Sequence, residues 1–358
     1  MDKNYTKRIS RQYLVFILTI VFVFVTLFVG ALIFRFYRAG LNGRAETKEY
    51  DKYYVMITDN YKSDFWQAVY KGALETAKQQ DIYVDLLGQD ISGEHSSKEL
   101  MRIAIAAKVD GIIVVADESD EMAELINEAS SAGIPVVTLY GDCTKADRLS
   151  FVGVGGYSIG KMYGTQIINL IKEKRREDFS DTDSIYSRGQ IKIVVIASAD
   201  TNDTGQNIII SAMQDTIKQE NATDSEFSVS IVTVDNSNSF LVEERIRDIF
   251  LSEDVPDVIV CLNEQSTVCA YQAVVDFNKV GDVNILGHYD SEEIIKAIDR
   301  GGVYATISID TNQLGKYSVN ALSDYYMYGN TSEYYMADST LINKDNVAMY
   351  MEEEEKDE

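Results

Sequence analysis

Two adjacent aromatics, Phe65 and Trp66, are the residues whose type and place carry the most chemistry in this sequence, and Trp66 is its only tryptophan. They follow a short apolar run at 53–58 and a polar turn at 60–63. They open a helical stretch running through Val69 and Leu74 toward Gln80, with Asp64 placed to cap it. In a strand-then-helix unit, the crevice beyond the carboxyl end of the strand is where ligands bind. Flat apolar rings beside a carboxylate suit a sugar, whose C–H faces stack while its hydroxyls seek acceptors. The same spacing also suits two core-facing helix residues, because aromatics dominate cores.

Those rings need a scaffold, and the chain is long enough to build a large one. Its 358 residues exceed one ordinary core, so two lobes are expected. A formal net charge of -24 and the lack of a basic stripe exclude a nucleic-acid partner and fit an exported acidic body. Cys143, Cys261 and Cys269 are too few and too irregularly spaced for a disulfide framework or a zinc site, and read as small buried hydrophobes. His95 and His288 are the only histidines, leaving no material for a His-rich metal site. No cofactor or metal ion is expected.

Residues 13–34 carry no charged side chain, and at a rise of about 1.5 Å per residue they cover a hydrocarbon layer roughly 30 Å thick. A cleaved signal peptide would have a shorter apolar region ending in small residues, whereas here Arg35 and Arg38 follow directly. A lipoprotein would need a cysteine there, and the first is Cys143. The reading is an uncleaved, single-pass transmembrane anchor in the cell membrane. Lys3, Lys7, Arg8 and Arg11 before it nearly balance Arg35, Arg38, Arg44 and Lys48 after it. Its orientation, with 1–12 cytoplasmic and everything after the span extracytoplasmic, therefore rests on the exported look of the large acidic portion beyond residue 52.

Beyond a linker at 35–52, strand-length apolar runs at 53–58, 82–87, 111–115, 135–139, 150–153, 191–198, 227–234, 257–262, 283–287 and 304–308 alternate with amphipathic stretches. Those stretches lie at 97–108, 119–132, 156–174, 204–219, 240–251, 265–278 and 291–300. Such alternation predicts an α/β fold of parallel sheets covered on both faces. The charged segment 175–190 reads as a surface loop and 348–358 as an acidic tail. Gly155-Gly156-Tyr157-Ser158-Ile159-Gly160-Lys161 approaches a phosphate-binding loop, but Met162 stands where that loop needs Ser or Thr. Its glycines read instead as a tight turn from strand to helix.

Between residues 53 and 347 lie the stretches SDFWQAVYKGALETAKQQ, VDGIIVVADESDEMAELINEASSAGIPVVTLYGD, LSFVGVGGYSIGKMYG, VIVCLNEQSTVCAYQAV and ILGHYDSEEIIKAIDRGGVYATISIDTNQLG, with the closing LINKDNV. In that order they resemble the type I periplasmic sugar-binding proteins, the ribose- and galactose-binding family shared with the effector domains of LacI-type repressors. The resemblance implies two doubly wound parallel-sheet lobes joined by three hinge crossings, with a solute held in the cleft. One lobe would comprise about 53–151 and 309–327, the other about 152–308 and 328–347. A repressor's DNA-binding headpiece is absent, and the apolar span occupies its place.

Carried over position by position, the family's paired stacking aromatics fall on Phe65 and Trp66, and its asparagine after a strand falls on Asn263. Asp142, Asp290 and Asp310 fall just past other strand ends, where each could accept a pair of hydroxyl protons or simply cap a helix. Asp64, Asn207 and Phe240 are weaker placements. The sequence departs where ribose-type relatives keep an Asp-Arg pair, because Tyr140-Gly141 stand there. Asn207 replaces an arginine and Ile309 a glutamine, so the solute need not be ribose.

The resemblance implies a non-enzymatic receptor for a sugar or related polyol. Its anchor favours a chemosensing subunit of a two-component system, presenting a sugar-dependent surface to a sensor histidine kinase. The alternative is the substrate-binding component of an ABC sugar transporter, docking on a permease. A glycosidase built on two carboxylates and an adaptor with an empty cleft are the other readings. The receptor reading predicts that Trp66→Ala abolishes a ligand-induced thermal shift and leaves the fold intact.

Overall fold

The computed structural model describes residues 16, 18, 21–32, 50–93, 95–177, 191–199, 204–221, 227–235, 239–252 and 254–351. The chain divides into two compact units, 1–50 and 51–358. In the first, residues 21–32 are helical with exposed side chains, and the Thr26 hydroxyl donates back to the carbonyls of Phe22 and Val23. Among the described residues, no helix is long and apolar enough to cross a membrane. Of the expected 13–34 span, residues 13–15, 17, 19–20 and 33–34 lie outside the described residues, as do 1–12 and 35–49.

The second unit contains two six-stranded sheets. The first is built from β1 (Lys52–Ile57), β2 (Ile82–Leu86), β3 (Gly111–Val114), β4 (Val136–Leu139), β5 (Ser150–Val154) and a late strand, β11 (Tyr334–Ala337). Their order is β11-β5-β4-β3-β1-β2, all parallel. Helices α1 (Asp64–Gln79), α2 (Ser97–Ala107) and α3 (Asp120–Ser131) make the crossovers. In β1, Tyr54 and Met56 face one core while Val55 and Ile57 face another. Burial on both faces is why these strands read as continuous apolar runs.

The second sheet contains β6 (Ile191–Ser198), β7 (Phe227–Val234), β8 (Val258–Cys261), β9 (Asn284–His288), β10 (Ala305–Ile309) and β12 (Ser339–Asn343), in the order β12-β10-β9-β8-β6-β7. Only the β10–β12 pair is antiparallel. Helices α4 (Gly156–Glu177), α5 (Thr204–Asn221), α6 (Ser239–Leu251), α7 (Glu264–Asp276) and α8 (Glu292–Asp299) accompany it. The last helix, α9 (Thr311–Tyr328), returns to the first lobe and packs on α1. The chain thus passes between sheets three times, after β5, after β10 and after β11. Only Asp338 separates β11 from β12. Its amide donates to Gln313 Oε1 at 3.0 Å, and Gln313 Nε2 donates to its carboxylate at 2.8 Å, tying two crossings together.

Three details depart from expectation. Residues 328–347 do not all join the second lobe, because β11 pairs in parallel with Phe151–Val154 and extends the first sheet. The expected acidic tail at 348–358 begins inside a helical turn, 347–351, whose Val347 is buried and whose Tyr350 and Met351 pack on the second core, while 352–358 lie outside the described residues. Finally, the glycines at 155 and 156 take no left-handed φ. A Cβ on Gly160 would sit 2.3 Å from the Ile209 carbonyl oxygen and one on Gly164 2.7 Å from the Thr216 Cβ, so these glycines let α4 and α5 approach closely.

Candidate functional site

Ser63, rather than Asp64, caps α1, accepting from the Trp66 amide at 3.3 Å. This places Phe65 and Trp66 in the first turn, just beyond β1. Both are buried, at 8 % and 6 % exposure. Their rings meet edge to face at 4.9 Å between centroids. Tyr140, directly after β4, stands edge-on to both, at 5.3 Å from Phe65 and 5.9 Å from Trp66. From the other lobe Tyr289, directly after β9, meets Phe65 at 5.2 Å. The boundary between the lobes is therefore an aromatic wall. Tyr140 and Tyr289 have φ of 64° and 75°, a left-handed conformation costly for a bulky side chain. Backbone strain of this kind is of order 1–3 kcal/mol per residue and gathers at ligand clamps.

A polar relay backs the wall. Tyr163 on α4 lies 2.9 Å from the Gly287 carbonyl, 3.1 Å from the Cys261 carbonyl and 3.1 Å from His288 Nδ1. Carbonyls only accept, so the single phenolic proton goes to one of them and Nδ1–H donates to the Tyr163 oxygen. That leaves Nε2 as an acceptor for the Tyr140 hydroxyl, at 2.6 Å across the gap. Burial lowers the His288 pKa to about 4, so the ring is neutral. The folded state then binds fewer protons than the unfolded chain below the ordinary 6.5. This contribution to stability is complete above pH 6.5 and is lost as the pH falls through about 4. His288→Asn is expected to flatten that part of the profile, read as urea midpoint against pH.

Carboxylates gather at the same boundary. Asp59 follows β1, its side chain open to solvent with the Trp66 indole beside it. Desolvation by nearby protein raises its pKa against the opposing pull of the Asn60 and Asp59 amides and the Trp66 indole N–H. Glu264 opens α7 in the second lobe and accepts from the Phe65 amide of the first at 3.2 Å. Desolvation raises its pKa and the Phe65 N–H opposes this, while the nearby Asp64 and Asp290 charges add to the rise. Asp290 is raised by burial, against the Ser308 hydroxyl that donates to it at 2.7 Å, and further by Asp310.

Of the residues singled out from sequence, Phe65, Trp66, Asp64 and Asp290 come together here. Asp310 lies near Asp290 and caps α9, accepting from the Gln313 amide at 2.8 Å. Asn263 caps α7, accepting from the Ser266 amide at 2.8 Å. Asn207 and Phe240 are exposed on α5 and α6. Asp142 does not serve as an open acceptor. Arg148 grips both its oxygens, at 2.6 and 2.9 Å, and the Thr138 hydroxyl and Cys143 amide complete its shell. Asp59, Tyr140, Glu264, His288 and Tyr289 escape a reading of the sequence as site residues; the signal for the two tyrosines is their shared place, immediately after a central strand of each lobe.

A family model described as periplasmic binding protein domain matches residues 54–330. The chain belongs to that family, in its type I sugar-binding branch. No curated protein sequence matches it significantly. Among solved structures similar to this periplasmic binding protein is GanP, a glucose-galactose binding protein from Geobacillus stearothermophilus. It is 20 % identical, with a TM-score of 0.69, over 84 % of this chain and 99 % of that one. A XylFII–LytSN complex matches at 23 % identity and a TM-score of 0.66, over 83 % and 99 %. An ABC transporter solute binding protein from Agrobacterium vitis with bound D-fucose matches at 17 % and 0.68, over 82 % and 96 %. At these identities the likeness is one of fold. Among the described residues, no group of three or more His, Cys, Asp or Glu is arranged to hold a metal ion.

Proposed function

We propose that this periplasmic binding protein is a membrane-anchored, extracytoplasmic receptor for a small sugar or polyol, and that it reports binding to a sensor histidine kinase. The observation that carries the reading is the interlobe boundary itself. Aromatic side chains from both lobes meet there, and the Phe65 amide of one lobe reaches the Glu264 carboxylate of the other. A solute that satisfies groups on both sides favours the closed arrangement by its differential affinity. No covalent step is needed, and the protein is not an enzyme in this reading.

The uncharged stretch 13–34 supports a retained anchor, with 1–12 in the cytoplasm and the lobes outside. A retained anchor suits a subunit that stays beside a membrane partner better than one that ferries solute. A protein of this fold held in a XylFII–LytSN complex is a precedent for stable association. Purification of the full-length chain from membranes, with identification of what comes with it, tests the assignment. A histidine kinase is the expected companion; ABC permease subunits would reassign the protein to transport. Turnover of a sugar glycoside by the purified chain would replace the receptor reading with a hydrolase.

A further inference from the structure

Within that receptor reading, one contact across the boundary bears on how the lobes part. The Tyr140 hydroxyl belongs to the first lobe and His288 Nε2 to the second, and they meet at 2.6 Å. Both partners are fastened to their own sheets. The Tyr140 amide donates to the Val152 carbonyl of β5 at 2.8 Å. A Cβ on the neighbouring Gly141 would sit 2.3 Å from the Ala116 carbonyl oxygen, so the chain after β4 lies hard against the chain after β3. On the other side, the His288 amide donates to the Thr267 hydroxyl of α7 at 3.0 Å, and the Tyr289 amide to the Ile307 carbonyl of β10 at 2.8 Å. With the backbone held at both ends, only side-chain rotation can follow a parting of the lobes. Phe65 and Trp66, edge-on to the Tyr140 ring, restrict that rotation.

Burial sets this bond apart from the other one across the wall. Glu264, which accepts from the Phe65 amide, is partly exposed, so water can take its place as soon as the two separate. His288 is 2 % exposed, and its other ring nitrogen is engaged by Tyr163 at 3.1 Å. A slight separation therefore strands Nε2 before water can reach it, and a buried acceptor left unmatched is costly. Closed lobes satisfy the nitrogen with Tyr140, and widely parted lobes satisfy it with water. Arrangements between those two do neither, which makes the boundary a two-position device rather than a continuously deformable one.

We infer that the Tyr140–His288 bond is an interlobe latch, which holds the cleft closed through protein groups alone and sets how much of closure is left for a solute to drive. A solute moves the lobes only by its differential affinity for the two arrangements. A latch that already favours the closed one reduces the difference a solute must supply. It also resists the parting through which solute enters and leaves.

The test is the open-to-closed ratio of the full-length chain in detergent without solute. It is read as a distance distribution between spin labels on two introduced cysteines, Lys71→Cys on α1 of the first lobe and Glu293→Cys on α8 of the second. Both positions are exposed, and Cys143, Cys261 and Cys269 are buried. Tyr140→Phe keeps the ring and deletes the hydroxyl, and is expected to raise the ratio at least roughly fivefold. His288→Asn keeps an amide donor toward Tyr163 but is too short to reach Tyr140, and is expected to raise it similarly. The double variant should exceed either single one by less than roughly twofold, because the same bond is lost in all three. Unchanged ratios in both single variants, each folded by circular dichroism, would overturn the latch and leave the sugar-receptor reading standing. Effects that multiply in the double variant would also overturn it, assigning each residue to packing alone. One fixed distance in every variant, unmoved by any sugar, would overturn the latch and strike the hinged receptor too.

Discussion

Asp142→Ala is expected to lower folding stability by about 3–5 kcal/mol, the usual consequence of leaving one member of a buried ion pair without its partner. The side chains of Arg148 and Asp142 are only 6 % and 13 % exposed, and the guanidinium engages both carboxylate oxygens. The Arg148 guanidinium also stacks over the rings of Tyr334, at 5.0 Å, and Phe151, at 5.9 Å. It therefore joins the loop after β4 to β5 and to β11. Removing the carboxylate strands a cation at the edge where β11 adds to the first sheet. Urea unfolding gives the measurement, and Asp142→Asn should lose less because an acceptor remains. Were Asp142 instead a solute ligand held free of internal partners, alanine there would weaken binding and barely move the urea midpoint.

The same pair shows what sequence could and could not deliver. Most strands from β1 to β10 are visible as apolar runs because both faces of their sheet are covered, the edge strands β2 and β7 leaving Tyr83 and Ile231 exposed, and the helices between them show a 3.6-residue pattern. Strands β11 and β12 have no such signature. Tyr334 and Met336 are exposed at the sheet edge, and β12 is only partly covered, so hydrophobicity does not mark them. The resemblance placed the closing strand without revealing that the chain first visits the other lobe. Phe65 and Trp66 were legible as a candidate wall because two adjacent aromatics follow a strand. Which aspartates face solute was not legible, since Asp142, Asp290 and Asp310 all stand just beyond strands. What separates them is a partner: Arg148 claims the first, Ser308 engages the second, and the Gln313 amide takes the third. Asp59 and Glu264 each look like an ordinary acidic residue between strand and helix until the two lobes are brought together.

Trp66→Ala is expected to do more than remove a stacking surface. At 6 % exposure, among Phe65, Tyr140 and the core shared by both lobes, the indole fills volume that alanine would leave empty. Such truncations cost about 3–5 kcal/mol. The expectation that the fold survives this substitution unaltered is therefore replaced by a marked fall in the urea midpoint. The magnitude also decides how binding must be read. A ligand at one hundred times its dissociation constant stabilises by about 2.7 kcal/mol, less than the expected loss. A missing thermal shift in this variant would then confound lost affinity with lost fold. Trp66→Phe separates them, since it keeps an aromatic body while deleting the indole N–H that faces Asp59. It should unfold closer to the parent protein and still bind less tightly by calorimetry well below its melting temperature. Equal affinity in Trp66→Phe would confine the indole N–H to packing, and an unchanged midpoint in Trp66→Ala would contradict the buried position of the ring.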